Sequence, residues 1–156
     1  VRDGVEVPAP HRERLLRRLH RPEPRVSAAR YLASGRIASS MIDVSDGLAG
    51  DLRHICHQSG VDIVIDPSAL PISPAVEAYC DAIRQDPVDC VLQGGEDYEL
   101  AFTSSSSDFP SEWGSECRLS YIGTVTKGDG EVRVGTVEKS QVYDKKGFEH
   151  FPVTSQ

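Results

Sequence analysis

The fold is decided by the stretch Met41-Ile42-Asp43-Val44-Ser45-Asp46-Gly47-Leu48, because there a strand passes through a tight turn into a helix. Residues 38–44 are short and apolar enough for a buried strand. After the turn, apolar side chains recur at helical spacing: Leu48, Leu52, Ile55 and Cys56. The stretch therefore predicts a strand, a turn and a helix in direct succession.

Downstream of this helix, strand and helix patterns alternate. Gly60 is typical of a helix end, and VDIVID, residues 61–66, alternates apolar and acidic residues as in a half-buried strand. Prolines mark a loop before a predicted helix from about Ala75 to Arg84. Residues 98–102 then alternate as a strand would.

The last third of the chain predicts a hairpin. Two β-rich runs, LSYIGTV (119–125) and EVRVGTV (131–137), flank the turn KGDG (127–130). Strands separated by helices come early and hairpin strands come late, so we predict the α+β class. Its expected form is a mixed, largely antiparallel sheet with packed helices.

The amino-terminal segment, residues 1–25, is predicted to be a docking helix followed by an extended connector. Pro22 and Pro24 prevent the helix from continuing past His20. Three apolar side chains lie on one side of this basic helix: Leu15, Leu16 and Leu19. Its arginines could form a phosphate-binding face, but a solvated helix surface is favoured.

The 156 residues, 38% of them hydrophobic, are enough for one domain, which we place at residues 26–156. A net charge of −7 and a pI near 5.2 disfavour nonspecific binding to nucleic acid or to anionic membranes. No apolar run approaches the ~20 residues that span a bilayer, so we expect a cytoplasmic protein. The four cysteines are scattered singly, and we interpret them as reduced packing residues.

Two carboxylates and a hydroxyl lie within four residues at the predicted strand-to-helix turn: Asp43, Ser45 and Asp46. The first turn of a helix has unpaired N–H groups that accept phosphate oxygens, and Gly47 would let the backbone come close. One or two carboxylates hold Mg²⁺ when substrate phosphates and water complete the shell. The turn therefore predicts a magnesium and phosphate site. The alternative is that Ser45 or Asp46 only caps the helix and Asp43 is a turn residue.

A second motif, Gly94-Gly95-Glu96-Asp97-Tyr98-Glu99-Leu100, puts paired glycines before three acids and an aromatic residue at a strand entrance. Glycines allow unusual backbone angles and close approach of a ligand. Glu96 could take a cationic or hydrogen-bonding group of a substrate, and Asp97 could be an acceptor behind it. A glycine turn with solvated acids is the alternative.

The helix after the first motif carries further polar candidates. His54 and His57 have a spacing that can bind metal, but no softer ligands lie near them in sequence, so a surface or packing role is favoured. Asp51 is expected to be a solvated helix residue, with support of the site from behind as the alternative.

Three stretches in this order, MIDVSDGLAGDL (41–52), LQGGEDYELAFT (92–103) and GFEHF (147–151), resemble one protein family. They are similar to the thiamine-monophosphate kinase branch of the aminoimidazole-ribonucleotide (AIR) synthetase-related superfamily, over about residues 20–151. The resemblance implies the carboxy-terminal domain of the AIR synthase-related type.

Members of this family transfer the terminal phosphate of ATP to thiamine phosphate with the help of magnesium ions. The resemblance implies these roles: magnesium binding for Asp43 and Asp46, ATP contact for Ser45, thiamine-phosphate contact for Glu96 and ring contact for Phe148. Gly47 and Asp97 are expected to support them. Phosphoryl transfer depends on metal clamps and positioning, which agrees with such residues.

The family's amino-terminal domain, with further metal-binding aspartates, is expected to be missing, and the start at Val1 without an initiator Met favours a piece of a longer protein. Alone the chain is expected to be inactive. The resemblance also implies that the complete protein is a homodimer. Two rival hypotheses stay open. The chain could be a non-catalytic binding or assembly module, whose role would survive Asp43→Asn, or part of a sibling ATP-dependent enzyme with another acceptor.

Overall fold

The computed structural model describes residues 4–106, 112–113 and 117–145, and in them five α-helices and eight strands. The helices are α1 (Ala9–His20), α2 (Val26–Ser34), α3 (Leu48–Ser59), α4 (Pro74–Ile83) and α5 (Pro87–Gln93). The strands are β1 (Ser40–Val44), β2 (Val61–Ile65), β3 (Glu99–Thr103), β4 (Glu112–Trp113), β5 (Cys117–Arg118), β6 (Gly123–Lys127), β7 (Val132–Gly135) and β8 (Ser140–Val142). A 3-10 turn, Pro67–Ala69, follows β2. None of the described helices is long and apolar enough to cross a membrane.

The described strands form three sheets. β1 pairs with β3 and β4 with β5, both antiparallel. The largest sheet has the order β6-β2-β7-β8, in which β2 and β7 are parallel and the other neighbours antiparallel. The α+β class with mixed, largely antiparallel pairing is confirmed, although the strands are divided among separate sheets.

The core lies where α3 packs against β1, β2, β7 and α5. The predicted apolar face of α3 is confirmed, since its four residues are buried: Leu48, Leu52, Ile55 and Cys56. Gly60 ends the helix in the left-handed conformation, with φ of 63°. The prediction that β1 is buried was too strong, because only Val44 of that strand is buried. Of the described strands only β3 pairs with β1, which leaves the rest of β1 half-covered.

Strand β2 was predicted to be half-buried, and this is wrong. Val64 and Asp62, on the face expected to meet water, are 4% and 9% exposed. Asp62 can lie inside because its Oδ1 accepts the N–H groups of residues 129–131 at 2.8–3.1 Å. A buried carboxylate is tolerated when hydrogen bonds of this kind replace water.

The predicted hairpin between residues 119–125 and 131–137 is also wrong. β6 and β7 do not pair with each other, because β2 lies between them and bonds to both. The turn that joins β6 to β7 arches over the start of β2, where Asp62 binds its N–H groups. The hairpin that does form joins β7 to β8, with mutual backbone bonds between Thr136 and Lys139.

Helix α5 was missed by the sequence reading. It carries a local start signal, since the side chain of Asp86 accepts the N–H of Val88 and Pro87 is its first residue. The predicted helix of residues 75–84 is confirmed as α4, capped by Ser73. The C-terminal end of α5 lies against the start of α3 and so matters for the site.

The amino-terminal helix is confirmed as α1, and an extended connector follows it. α1 lies against α4. Its leucines are covered only in part, since Leu15 and Leu16 are half-buried and Leu19 is exposed. The division of the chain into residues 1–25 and 26–156 stays a prediction.

Candidate functional site

The turn between β1 and α3 presents three of the predicted site residues. Asp43 is exposed on β1, while Ser45 and Asp46 are half-buried in the turn. The residue that caps α3 is Gly47, and no side chain makes a capping hydrogen bond there. The alternative in which Ser45 or Asp46 caps the helix and Asp43 is a turn residue is therefore wrong.

Gly47 is required by the geometry of this turn. Its φ of 105° lies in the region that favours glycine. An added Cβ would lie 2.9 Å from the backbone carbonyl carbon and oxygen of Gln93. Gly47 thus lets the start of α3 close against the end of α5, whereas its predicted approach to a phosphate stays a prediction.

Asp51 holds the turn from behind. Its Oδ2 accepts the backbone N–H of Ser45 at 2.9 Å and that of Asp46 at 3.0 Å. The side chain is 3% exposed, so the expectation of a solvated helix residue is wrong. Its position one turn into α3, from which an acid can reach back to N–H groups before the helix, suits this role but suits a solvated acid equally well. His54 and His57, on the same helix, are exposed.

The second motif is joined to this turn by the backbone. The N–H of Glu96 donates to the carbonyl of Ser45 at 2.8 Å, and the N–H of Tyr98 donates to that of Val44 at 2.9 Å. Glu96 and Tyr98 have φ of 66° and 52°, which are uncommon for residues other than glycine. The two motifs, about fifty residues apart in the sequence, therefore form one surface at the ends of β1 and β3.

Acidic side chains on this surface differ in their surroundings. Asp97 keeps an exposed face, yet removal of part of its water shell and, next, the charge of Glu99 raise its pKa to about 6. Arg18 opposes this shift. Burial works against ionisation of Glu99 too, but the hydrogen bonds and charges of Arg25 and Arg18 outweigh it and lower its pKa.

The donor set of the turn fits Mg²⁺ only in part. Carboxylates such as Asp43 and Asp46 are the hard oxygen ligands that the ion prefers. Over residues 4–106 and 117–145, no group of three or more His, Cys, Asp or Glu side chains could hold a metal ion. Phosphate oxygens, water or ligands from outside this chain would have to complete the shell.

Phe148 lies outside the described residues, and the nearest described part of the chain ends at Lys145. Tyr143 is buried; its hydroxyl accepts a hydrogen bond from Gln93 at 2.9 Å and donates to Asp89 at 3.0 Å. Lys145 forms an ion pair with the same Asp89 at 2.6 Å. Sequence reasoning missed this network, since its partners are about fifty residues apart.

Burial and hydrogen bonding shift the pKa values of Tyr143 and Asp89. Burial raises the pKa of Tyr143 to about 12, and its bond to the Asp89 carboxylate acts in the same direction. The ion pair with Lys145 lowers the pKa of Asp89. Through Gln93, which also packs on Gly47, the network touches the turn that carries Asp43 and Asp46.

The chain is similar in sequence to several thiamine-monophosphate kinases. That of Aquifex aeolicus (strain VF5) is 34% identical over 138 residues, which are 88% of this chain and 41% of that protein. That of Bacillus subtilis (strain 168) is 36% identical over 149 residues, 87% of this chain and 42% of that protein. The chain thus spans about two fifths of the length of these relatives. No family model matches it.

Solved structures agree with these matches. AaThiL complexed with AMPPCP and TMP superposes with a TM-score of 0.72 at 33% identity, over 94% of this chain and 44% of that one. Thiamine-monophosphate kinase from Stenotrophomonas maltophilia K279a gives 0.66 at 36% identity, over 81% and 40%. Hydrogenase maturation protein HypE, at 18% identity and a TM-score of 0.57, shares the fold alone. Over the part that it shares with these relatives, the chain is a homologue of the thiamine-monophosphate kinases.

Proposed function

We propose that this chain is the carboxy-terminal part of an enzyme that transfers the terminal phosphate of ATP to thiamine phosphate, making thiamine diphosphate. The observation that carries the proposal is the pair of backbone bonds from Glu96 and Tyr98 to Ser45 and Val44. They join a turn suited to magnesium and phosphate to a loop suited to a cationic substrate. AaThiL, a relative by structure, has been solved with AMPPCP and TMP.

In this proposal Asp43 and Asp46 hold Mg²⁺ against the phosphates, and Ser45 contacts ATP. Bound magnesium would neutralise charge that develops during phosphoryl transfer. The residues of this chain hold the magnesium-binding turn in position. Asp51 fixes the backbone of Ser45 and Asp46, and Gly47 sets the path of the turn into α3.

The substrate side is assigned to the second motif and to the segment after Lys145. Glu96 is exposed and could pair with the positive charge of thiamine phosphate. Asp97 lies beside it as a supporting acid. Phe148 is proposed to lie against the thiamine ring system, because an aromatic face attracts a flat cation.

We propose that the remaining ligands come from an amino-terminal part of the complete protein, since the chain spans about two fifths of the length of its relatives. Among the described residues no third acid joins these two carboxylates in a group that could hold a metal ion, which agrees with such a division. We accordingly expect the chain alone to be inactive. A homodimer of the complete protein, which the family resemblance implies, and a cytoplasmic location, expected from the sequence, belong to the same proposal.

The proposal is tested by phosphorus NMR of ATP, Mg²⁺ and thiamine phosphate with the chain joined to the amino-terminal part of its own protein. Thiamine diphosphate and ADP are the expected products. Asp43→Asn should abolish their formation, while Asp144→Asn, an exposed acid near the end of the described residues, should not.

A folded joined protein that leaves both substrates intact would overturn the thiamine-phosphate assignment. ADP formed with another phosphate acceptor would identify a sibling enzyme. A biological role unaffected by Asp43→Asn would identify a binding or assembly module.

Binding of Mn²⁺ to the chain alone, followed by its electron spin resonance, should weaken about 10-fold in Asp43→Asn if that carboxylate holds metal.

A further inference from the structure

One carboxylate, that of Glu99, joins the amino-terminal segment to the site. Arg25 donates to it with both arms of its fork, Nε to Oε2 at 2.8 Å and Nη2 to Oε1 at 2.9 Å. Arg18 donates to the same Oε1. Arg18 lies in the last turn of α1, and Arg25 ends the connector just before α2. Glu99 thus holds residues 9–25 at two points.

These contacts differ from an ordinary surface ion pair. The side chain of Arg25 is 13% exposed and that of Glu99 is 43% exposed. Exposed single pairs contribute little, whereas a bidentate arginine with a second cation on the same carboxylate forms a directional network. Glu99 is ionised at neutral pH, since its two arginines outweigh the effect of burial.

Helix α1 is only partly covered by the rest of the described chain. It has 12 residues and none of them is buried, although it lies against α4. A helix of this length is marginal in water when it is not packed. The two arginine contacts should therefore contribute much of the force that keeps α1 ordered on the domain.

On its other side, Glu99 is part of the site framework. It is the first residue of β3 and pairs with Val44 of β1. The preceding loop carries Glu96 and Tyr98 in positive φ, and one backbone bond holds each of them, Glu96 to Ser45 and Tyr98 to Val44. A displacement of Glu99 would therefore also displace this loop, which precedes it directly in the sequence.

We infer that Glu99 is a positioning residue whose carboxylate latches residues 9–25 to the loop that carries Glu96, so that segment and loop are set together. The latch itself needs only the contacts above. Its consequence for the enzyme rests on the proposed function: if residues 9–25 lead to a further domain of the complete protein, the latch would set how that domain faces Glu96.

Hydrogen exchange of the chain, followed residue by residue by NMR, tests the first half of the inference. In Glu99→Gln the backbone N–H groups of α1 should exchange about 3- to 10-fold faster. The reason is that the uncharged side-chain amide of the variant binds both arginines more weakly than the carboxylate does. Glu138→Gln, the same chemical change at an exposed turn between β7 and β8, should leave them unchanged. Arg25→Lys, which keeps the charge and loses the fork, should give an intermediate increase.

The second half of the inference, the coupling of the segment to the loop, is tested by substituting Arg25 instead of Glu99. Arg25→Gln should speed the exchange of the Glu96 and Tyr98 amides about 3-fold or more, although the substitution lies in the connector. Arg30→Gln, at an exposed position of α2, is the matched control and should not affect them.

Two results would overturn the inference. α1 exchange in Glu99→Gln and Arg25→Lys equal to that in Glu138→Gln would show that the carboxylate does not hold the segment. Faster exchange of α1 in Arg25→Gln with unchanged Glu96 and Tyr98 amides would show that the segment is held but not coupled to the loop. Neither readout depends on kinase activity, so a failed kinase assay leaves this test intact.

Discussion

The carboxylate of Asp51 lies 2.9 Å from the backbone nitrogen of Ser45 and binds its N–H from inside the protein. The same oxygen takes the N–H of Asp46. A buried acid thereby fixes the two residues that are proposed to meet ATP and magnesium. The helix start itself is left without a side-chain cap, and its capping residue is Gly47.

Asp51→Ala should destabilise the chain by about 1–3 kcal/mol, because two N–H groups lose their acceptor in a place that water reaches poorly. Urea unfolding measures this cost. Asp51→Asn keeps one oxygen and should cost less, while His54→Ala, at an exposed position of the same helix, should change stability little. Equal midpoints for Asp51→Ala and His54→Ala would contradict the assigned role.

Gly47→Ala should cost about 2 kcal/mol or more, since a side chain is strained at its φ and would also strike the backbone of Gln93. Gly50→Ala is the matched control. Its Cβ would meet nothing nearer than Asp46 Cβ at 3.9 Å, and alanine is favoured inside a helix by about 0.5–1 kcal/mol. Thermal unfolding should therefore move in opposite directions for the two variants. A shift of the same sign in both would argue against the close approach of α3 and α5.

The strand, turn and helix around residues 41–48 could be predicted because each is encoded locally, by apolar spacing and by the glycine. The closing of the turn could not. Asp51 looks like any polar helix residue until the chain reverses and brings the N–H groups of Ser45 and Asp46 to it. Similarly, the pairing of Glu99 with Arg18 and Arg25 joins positions more than seventy residues apart.

The predicted hairpin failed for a related reason. Gly-Asp-Gly between two β-rich runs is a strong local signal, but strand β2 competes for both runs. Asp62 decides the outcome, since it supplies acceptors to the turn at residues 129–131. No local pattern marks that carboxylate as buried. The proposed roles of Asp43, Ser45, Asp46 and Glu96 likewise depend on ligands and stay predictions.

Asp62→Ala should lower the free energy of unfolding by about 2–3 kcal/mol at neutral pH, as expected for loss of hydrogen bonds to a charged acceptor. The bonds from residues 129–131, that of Glu131 first, lower the pKa of Asp62 against the effect of burial. Its contribution is therefore present above the unfolded pKa of 3.8 and is lost as the pH falls through the lower folded value. Urea unfolding between pH 7 and pH 2 should show the variant and the parent converging in acid. Asp129→Ala, exposed in the same turn, should show no such convergence.

Asp97 should show the opposite dependence. Its pKa in the folded chain is raised to about 6, first by desolvation and then by the charge of Glu99. A group of this kind stabilises the fold below its unfolded pKa of 3.8, and this contribution is lost as the pH rises through about 6. Asp97→Asn should accordingly unfold at the same temperature as the parent near pH 3 and at a higher temperature at pH 7. Glu138→Gln should not show this difference between the two pH values.

The titration of Asp97 can also be observed directly by carbon NMR of its carboxyl group. A midpoint near 6 is expected in the parent chain. Glu99→Gln should lower it, because the neighbouring negative charge that disfavours ionisation is removed. A midpoint close to the ordinary 3.8 in the parent chain would mean that Asp97 is fully solvated, and the acid behind Glu96 would then have no special environment.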